Sequence, residues 1–139
     1  MKSLLKPNGT ISILDYNHNT IEWNPKPPKS METFYSAFLK WRADAGMNNG
    51  IADDLVDLMK EAGLQSIEKI NSDEFYGKDR SDFITRVGIW SKVATLQQIV
   101  EEGYITEESR LKAIEEYDTY VKEDAVSMTM KLNEVRGTV

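Results

Sequence analysis

Residues 4–18 read Leu-Leu-Lys-Pro-Asn-Gly-Thr-Ile-Ser-Ile-Leu-Asp-Tyr-Asn-His, and the rest of the chain is organised around them. Leu4 and Leu5 read as the end of a helix. Lys6-Pro7-Asn8-Gly9 reads as a turn, because Pro fixes φ and Asn-Gly tolerates φ > 0. Thr10 to Leu14 is a short apolar, β-branched run, the pattern of a strand buried on both faces. Asp15-Tyr16-Asn17-His18 is then expected just past its carboxyl end, where open α/β sheets bind ligands.

Three stretches carry a family resemblance. LLKPNGTISILD (4–15) resembles the helix end, turn and fifth strand of class I, Rossmann-like S-adenosylmethionine-dependent methyltransferases, with Asn8 in place of the first Gly of the usual L-K-P-G-G. LVDLMKEAGLQSIE (55–68) is similar to the helix, Ala-Gly turn and sixth strand of that fold, and VSMTMKLNEVRGTV (126–139) to its last, antiparallel strand. The three occur in the family's order and cover most of the chain. The resemblance implies a partial Rossmann-like α/β fold. It has a three-stranded mixed sheet, with strands at about 10–15, 64–70 and 126–133 and the last lying between the other two, and about four helices.

The family holds its cofactor on a Gly-rich loop after the first strand and an acid after the second. No G-x-G-x-G occurs among the eight glycines here. The resemblance therefore implies the carboxyl-terminal half of such a protein, with Met1 either a native start or a point of truncation. S-adenosylmethionine is the cofactor of the family, and this chain by itself is expected not to bind it.

Composition bounds the alternatives. A length of 139 residues suits one domain, 1–139. The hydrophobic share of 40% and charged share of 29% are those of a globular chain. A net charge of −6 argues against nucleic acid as partner, since phosphate neutralisation needs clustered Lys and Arg. With no Cys and one His, disulfides, thiolate metal sites and His-based metal sites are not expected. No apolar run approaches a membrane span, so no membrane partner is expected and a cytoplasmic location is the default.

Periodicity places the elements. Residues 17–30 are polar and Pro-rich and read as an extended connector. Met31, Phe34, Phe38, Trp41 and Ala45 mark one face of a helix over about 30–46, with Ser30 as its cap. Ile51, Leu55, Leu58, Met59 and Ala62 mark a second helix, ended by Gly63. Its acids Asp53, Asp54 and Asp57 read as a solvated face. Residues 64–70 read as a half-exposed edge strand. Phe75-Tyr76-Gly77 opens a helical insertion over about 78–124, expected to be a substrate lid. The insertion is expected to hold a long helix over 81–102 and a last helix capped by Thr106. Val126, Met128, Met130 and Leu132 alternate with polar residues, the clearest strand signal in the chain.

The resemblance would leave the strand at 10–15 without the family's fourth strand beside it. An apolar edge of that kind is a pairing hazard, so a homodimer, or pairing with a missing amino-terminal half, is expected. The loop after that strand and the helices at 30–46 and 81–102 would line the substrate side of a methyltransferase cleft. The candidate substrate-binding residues are Tyr16, His18, Trp23, Tyr35, Trp41, Arg42, Arg86 and Trp90. Arg42 or Arg86 could grip a carboxylate or phosphate. His18, placed after the fifth strand, is the candidate general base. Core packing competes with the substrate role for Phe34, Phe38 and Trp90, and a surface histidine is the plain alternative for His18. Two functions follow: the substrate-recognition half of a methyltransferase acting on a small molecule, inactive alone, or a non-enzymatic dimeric binding module on a truncated form of that fold.

Overall fold

The computed structural model describes residues 8–139, and the chain divides into two compact units. The first comprises residues 8–20, 49–74 and 130–139; the second comprises 21–48 and 75–129. The helix end expected at Leu4 and Leu5, and the first half of the turn expected at residues 6–9, lie outside the described residues. The elements are β1 (Thr10–Asn24), α1 (Lys29–Asp44), α2 (Ile51–Glu61), β2 (Gln65–Asn71), β3 (Glu74–Gly77), α3 (Phe83–Val87), α4 (Ile89–Val93), α5 (Gln98–Glu101), α6 (Glu107–Glu123) and β4 (Ser127–Thr138).

The sheet runs β1–β4–β2, with β3 also paired to β4. The last strand thus lies between the first and second, as expected. The sheet has four strands where three were expected. β2 is antiparallel to β4, with Gln65 opposite Thr138 and Asn71 opposite Asn133. β1 is antiparallel to β4 as well. Val139 N donates to Gly9 O and the Ser12 hydroxyl to Glu134, so residue numbers rise on one strand as they fall on the other. The last strand is therefore antiparallel to both of its neighbours, as the resemblance implied.

In the first unit α2 packs on one sheet face. Leu55, Met59, Leu64 and Val135 are buried together, with Ile11, Ile13, Ile51, Val56, Ile67 and Val139 against them. Gly137 permits the close approach: a Cβ there would lie 3.1 Å from Met59 Sδ and 3.2 Å from Leu64 Cβ. Beside this apolar layer is a polar one. Asn17 Nδ2 donates to Asp53 Oδ2, and Asn133 Nδ2 donates to Ala52 O at 3.1 Å and to Asp53 Oδ1 at 3.3 Å. Asp53 therefore ties α2 to the sheet and is not merely part of a solvated face.

β1 corrects two expectations. It continues to Asn24, so Asp15 to His18 lie inside a strand and not in a loop beyond one. The partner strand decides this: β4 offers a ladder of 12 residues, and pairing outweighs the weak strand preference of the Asn residues. β1 is also buried on one side only. Ile11 and Ile13 turn toward α2, while Ser12 and Leu14 face outward, Leu14 with 58% of its surface exposed.

The second unit is helical. α1 and α6 pack against each other, burying Met31, Phe34, Tyr35 and Phe38 of α1 and Ala113, Tyr117, Tyr120 and Val121 of α6. Thr106 caps α6 as expected, its side chain accepting from Ser109 N at 3.1 Å. α1 starts at Lys29 behind Pro28, with no side-chain cap, so Ser30 is inside the helix. The long helix expected over 81–102 is three short ones. Gly88 separates α3 from α4 in a turn so tight that a Cβ there would stand 2.5 Å from Ile84 O. Thr95 then closes α4 by donating to Lys92 O at 2.6 Å. Buried Arg110 donates to Ala94 O at 2.9 Å, tying the end of α4 to α6.

Candidate functional site

The second unit gathers most of the expected substrate-facing residues around Phe38. Helical spacing sets this up: along α1, Phe38 lies three positions after Tyr35, and Trp41 and Arg42 lie three and four positions after Phe38. Trp23, from β1, meets the Tyr35 ring edge-on at a centroid distance of 5.4 Å. Trp90, from α4, lies 5.0 Å from Tyr35 and 5.9 Å from Phe38, again edge to face. Edge-to-face contacts place a ring's positive rim on a neighbour's negative face. Trp41 stacks near Phe38 at 6.3 Å, and the Arg42 guanidinium sits 5.7 Å from the Phe38 centroid, within cation–π range.

The cluster grades from buried to open. Trp90 is 3% exposed, and its indole Nε1 is buried with no hydrogen-bond partner among the described residues. Tyr35 is also buried, and burial pushes its hydroxyl well above the usual tyrosine range, against the smaller opposing pull of the Arg42 charge. It is therefore a neutral donor and not a base at physiological pH. Trp23 Nε1 donates to Tyr117 Oη at 3.0 Å, and Tyr117 donates onward to Val87 O at 2.7 Å. At the outer end Trp41 Nε1 donates to Glu102 at 2.7 Å, and Tyr104 donates to Asp44 at 2.6 Å. Trp41 and Arg42 are half-exposed and form the accessible rim.

Arg86 does not join this rim. It pairs with Asp82 at 3.3 Å on the surface, where Asp82 also binds Arg80. Tyr16 and His18 belong to the first unit. Their ring centroids are 5.8 Å apart; the Tyr16 hydroxyl reaches Glu74 at 3.4 Å, a long contact, and His18 N donates to Asn49 O at 2.7 Å. The backbone of His18 is thus fixed inside β1. Sequence reasoning favoured core packing for Phe38 and left it off the candidate site residues, whereas it is the ring at the centre of the cluster. Tyr117 and Glu102, which orient Trp23 and Trp41, carried no signal, because their partners are 94 and 61 residues away.

The glycines at positive φ, Gly46, Gly63 and Gly103, stand just after α1, α2 and α5, and none opens a helix after a strand as a cofactor cradle requires. No group of three His, Cys, Asp or Glu among the described residues is arranged to hold a metal ion. No helix among them is long and apolar enough to cross a membrane.

No family model matches the chain, and comparison with curated proteins finds no match. Among solved structures, the chain is similar to Phospholethanolamine N-methyltransferase 2 of Haemonchus contortus, solved in complex with phosphomonomethylethanolamine and S-adenosylhomocysteine. The likeness covers 96% of this chain at 12% identity with a TM-score of 0.36, and the chain spans 27% of that protein.

Proposed function

We propose that this chain is the substrate-recognition part of an S-adenosylmethionine-dependent methyltransferase acting on a small molecule, and that alone it transfers no methyl group. The observation that carries the reading is the sheet order β1–β4–β2. The last strand inserts between two earlier ones, the arrangement that the motifs at 4–15, 55–68 and 126–139 imply.

The work left to these residues is to hold and orient an acceptor and keep water from it. The half-exposed rim of the aromatic cluster suits this: Trp41 offers a flat face, and Arg42 a cation already positioned over Phe38. A second reading, a non-enzymatic dimeric interaction module, draws support from the burial of Tyr35 and Trp90, which leaves neither ring open to a substrate.

The test uses benzoate and phenyl phosphate as anionic aryl probes, followed by tryptophan fluorescence. The expected result is a saturable change that Arg42→Ala weakens at least tenfold and that needs no S-adenosylmethionine. Binding indifferent to Arg42→Ala, or no binding at all, would favour the interaction module.

A further inference from the structure

A cleft of about 420 Å³ lies in the second unit, lined by none of the aromatic cluster's own residues. Ile84, Ile114 and Val121 supply its apolar lining. Its polar lining includes Ser91, Lys92, Asp118 and Lys122. Ser91 is 8% exposed, and its hydroxyl donates to Asp118 Oδ1 at 2.6 Å. This bond fixes one carboxylate oxygen and leaves Oδ2 as an uncommitted acceptor. Lys92 and Lys122 form no ion pair with any described residue, Asp118 included. Three charges of both signs thus line one cleft and do not neutralise each other at contact distance. The tight turn at Gly88 holds α3 and α4 along the side of the cleft facing α6.

We propose that this cleft binds a small apolar α-amino acid as its zwitterion. The ammonium meets Asp118 Oδ2, the carboxylate meets Lys92 and Lys122, and the side chain covers Ile84, Ile114 and Val121. A simple fatty carboxylate would leave Asp118 opposed by a like charge, and a simple amine would leave both lysines unmatched. A zwitterion meets both signs of charge in the lining, which neither of those ligands does. The proposal is independent of the methyltransferase reading.

The experiment is titration of the 15N-labelled chain with L-leucine, followed by amide shifts. N-acetyl-L-leucine, which lacks the ammonium, and isopentylamine, which lacks the carboxylate, serve as controls. Saturable shifts confined to residues 84–95 and 114–122 are expected for leucine, with both controls at least tenfold weaker. Asp118→Asn keeps an acceptor for Ser91 and should weaken leucine at least tenfold; exposed Lys92→Gln should do so without disturbing the fold. No saturable shift, shifts centred elsewhere, equal binding of either control, or indifference to both substitutions would overturn the proposal.

Discussion

The indole of Trp23 donates to the hydroxyl of Tyr117 at 3.0 Å, and that hydroxyl donates in turn to the carbonyl of Val87 at 2.7 Å. One oxygen thus satisfies a strand residue and the last residue of a short helix. Tyr117→Phe keeps the ring volume and strands both partners. We expect a loss of about 1–3 kcal/mol, the cost of leaving buried polar groups unpaired, read by urea denaturation. A loss below a few tenths would mean that the hydroxyl joins nothing of consequence.

Gly88 is the second pressure point. Ala at this position would put its Cβ 2.5 Å from Ile84 O, which is backbone and cannot swing aside. Gly88→Ala should destabilise the chain by on the order of 1–3 kcal/mol, as overpacking does. Were residues 81–102 one long helix, the same change would stabilise it by about 1 kcal/mol. The sign of the change in thermal midpoint decides between the two.

Tyrosine burial sets an alkaline limit. Burial, the larger cause, and the nearby Asp124 charge push the Tyr120 hydroxyl up to about 12. It donates to Pro25 O at 2.6 Å. In the unfolded chain the group titrates near its ordinary value of about 10. The folded state therefore holds this proton more tightly, and stability falls as pH rises from about 10 to about 12. Melting temperatures measured across that window should decline, and less steeply in Tyr120→Phe.

We propose that the outer edge of β1 is covered in solution by a second copy. β1 stands at the end of the sheet order and carries no Lys, Arg or Pro from Thr10 to Asn24, the residues that commonly guard such an edge. Sedimentation should give a dimer mass, and Leu14→Lys, at an exposed position, should give a folded monomer. A monomer mass for the unaltered chain would contradict the proposal.

Much of the fold was legible in the residues. The apolar spacing of Met31, Phe34 and Phe38 gave α1, that of Ile51, Leu55 and Met59 gave α2, and the alternation from Val126 to Leu132 gave β4. What was hidden depends on partners far along the chain. Asn17 and Asn19 carry no strand signal, yet β1 runs through them because β4 is there to pair. The helix at 81–102 kept its apolar rhythm across Gly88, and only packing shows that the rhythm belongs to separate turns. β3, four residues long, was too short to register. At the candidate site the aromatic residues were legible by type, but their division between units was not. Asp118 and Ser91, 27 residues apart, gave no sequence sign of meeting.

The most direct measurement is calorimetric titration of this chain with S-adenosylmethionine. The positive-φ glycines end helices and form no cofactor cradle, so the account predicts no saturable heat. Saturable binding would mean that the chain builds a cofactor site from other residues, and its assignment as a substrate-recognition part without a cofactor site would be wrong.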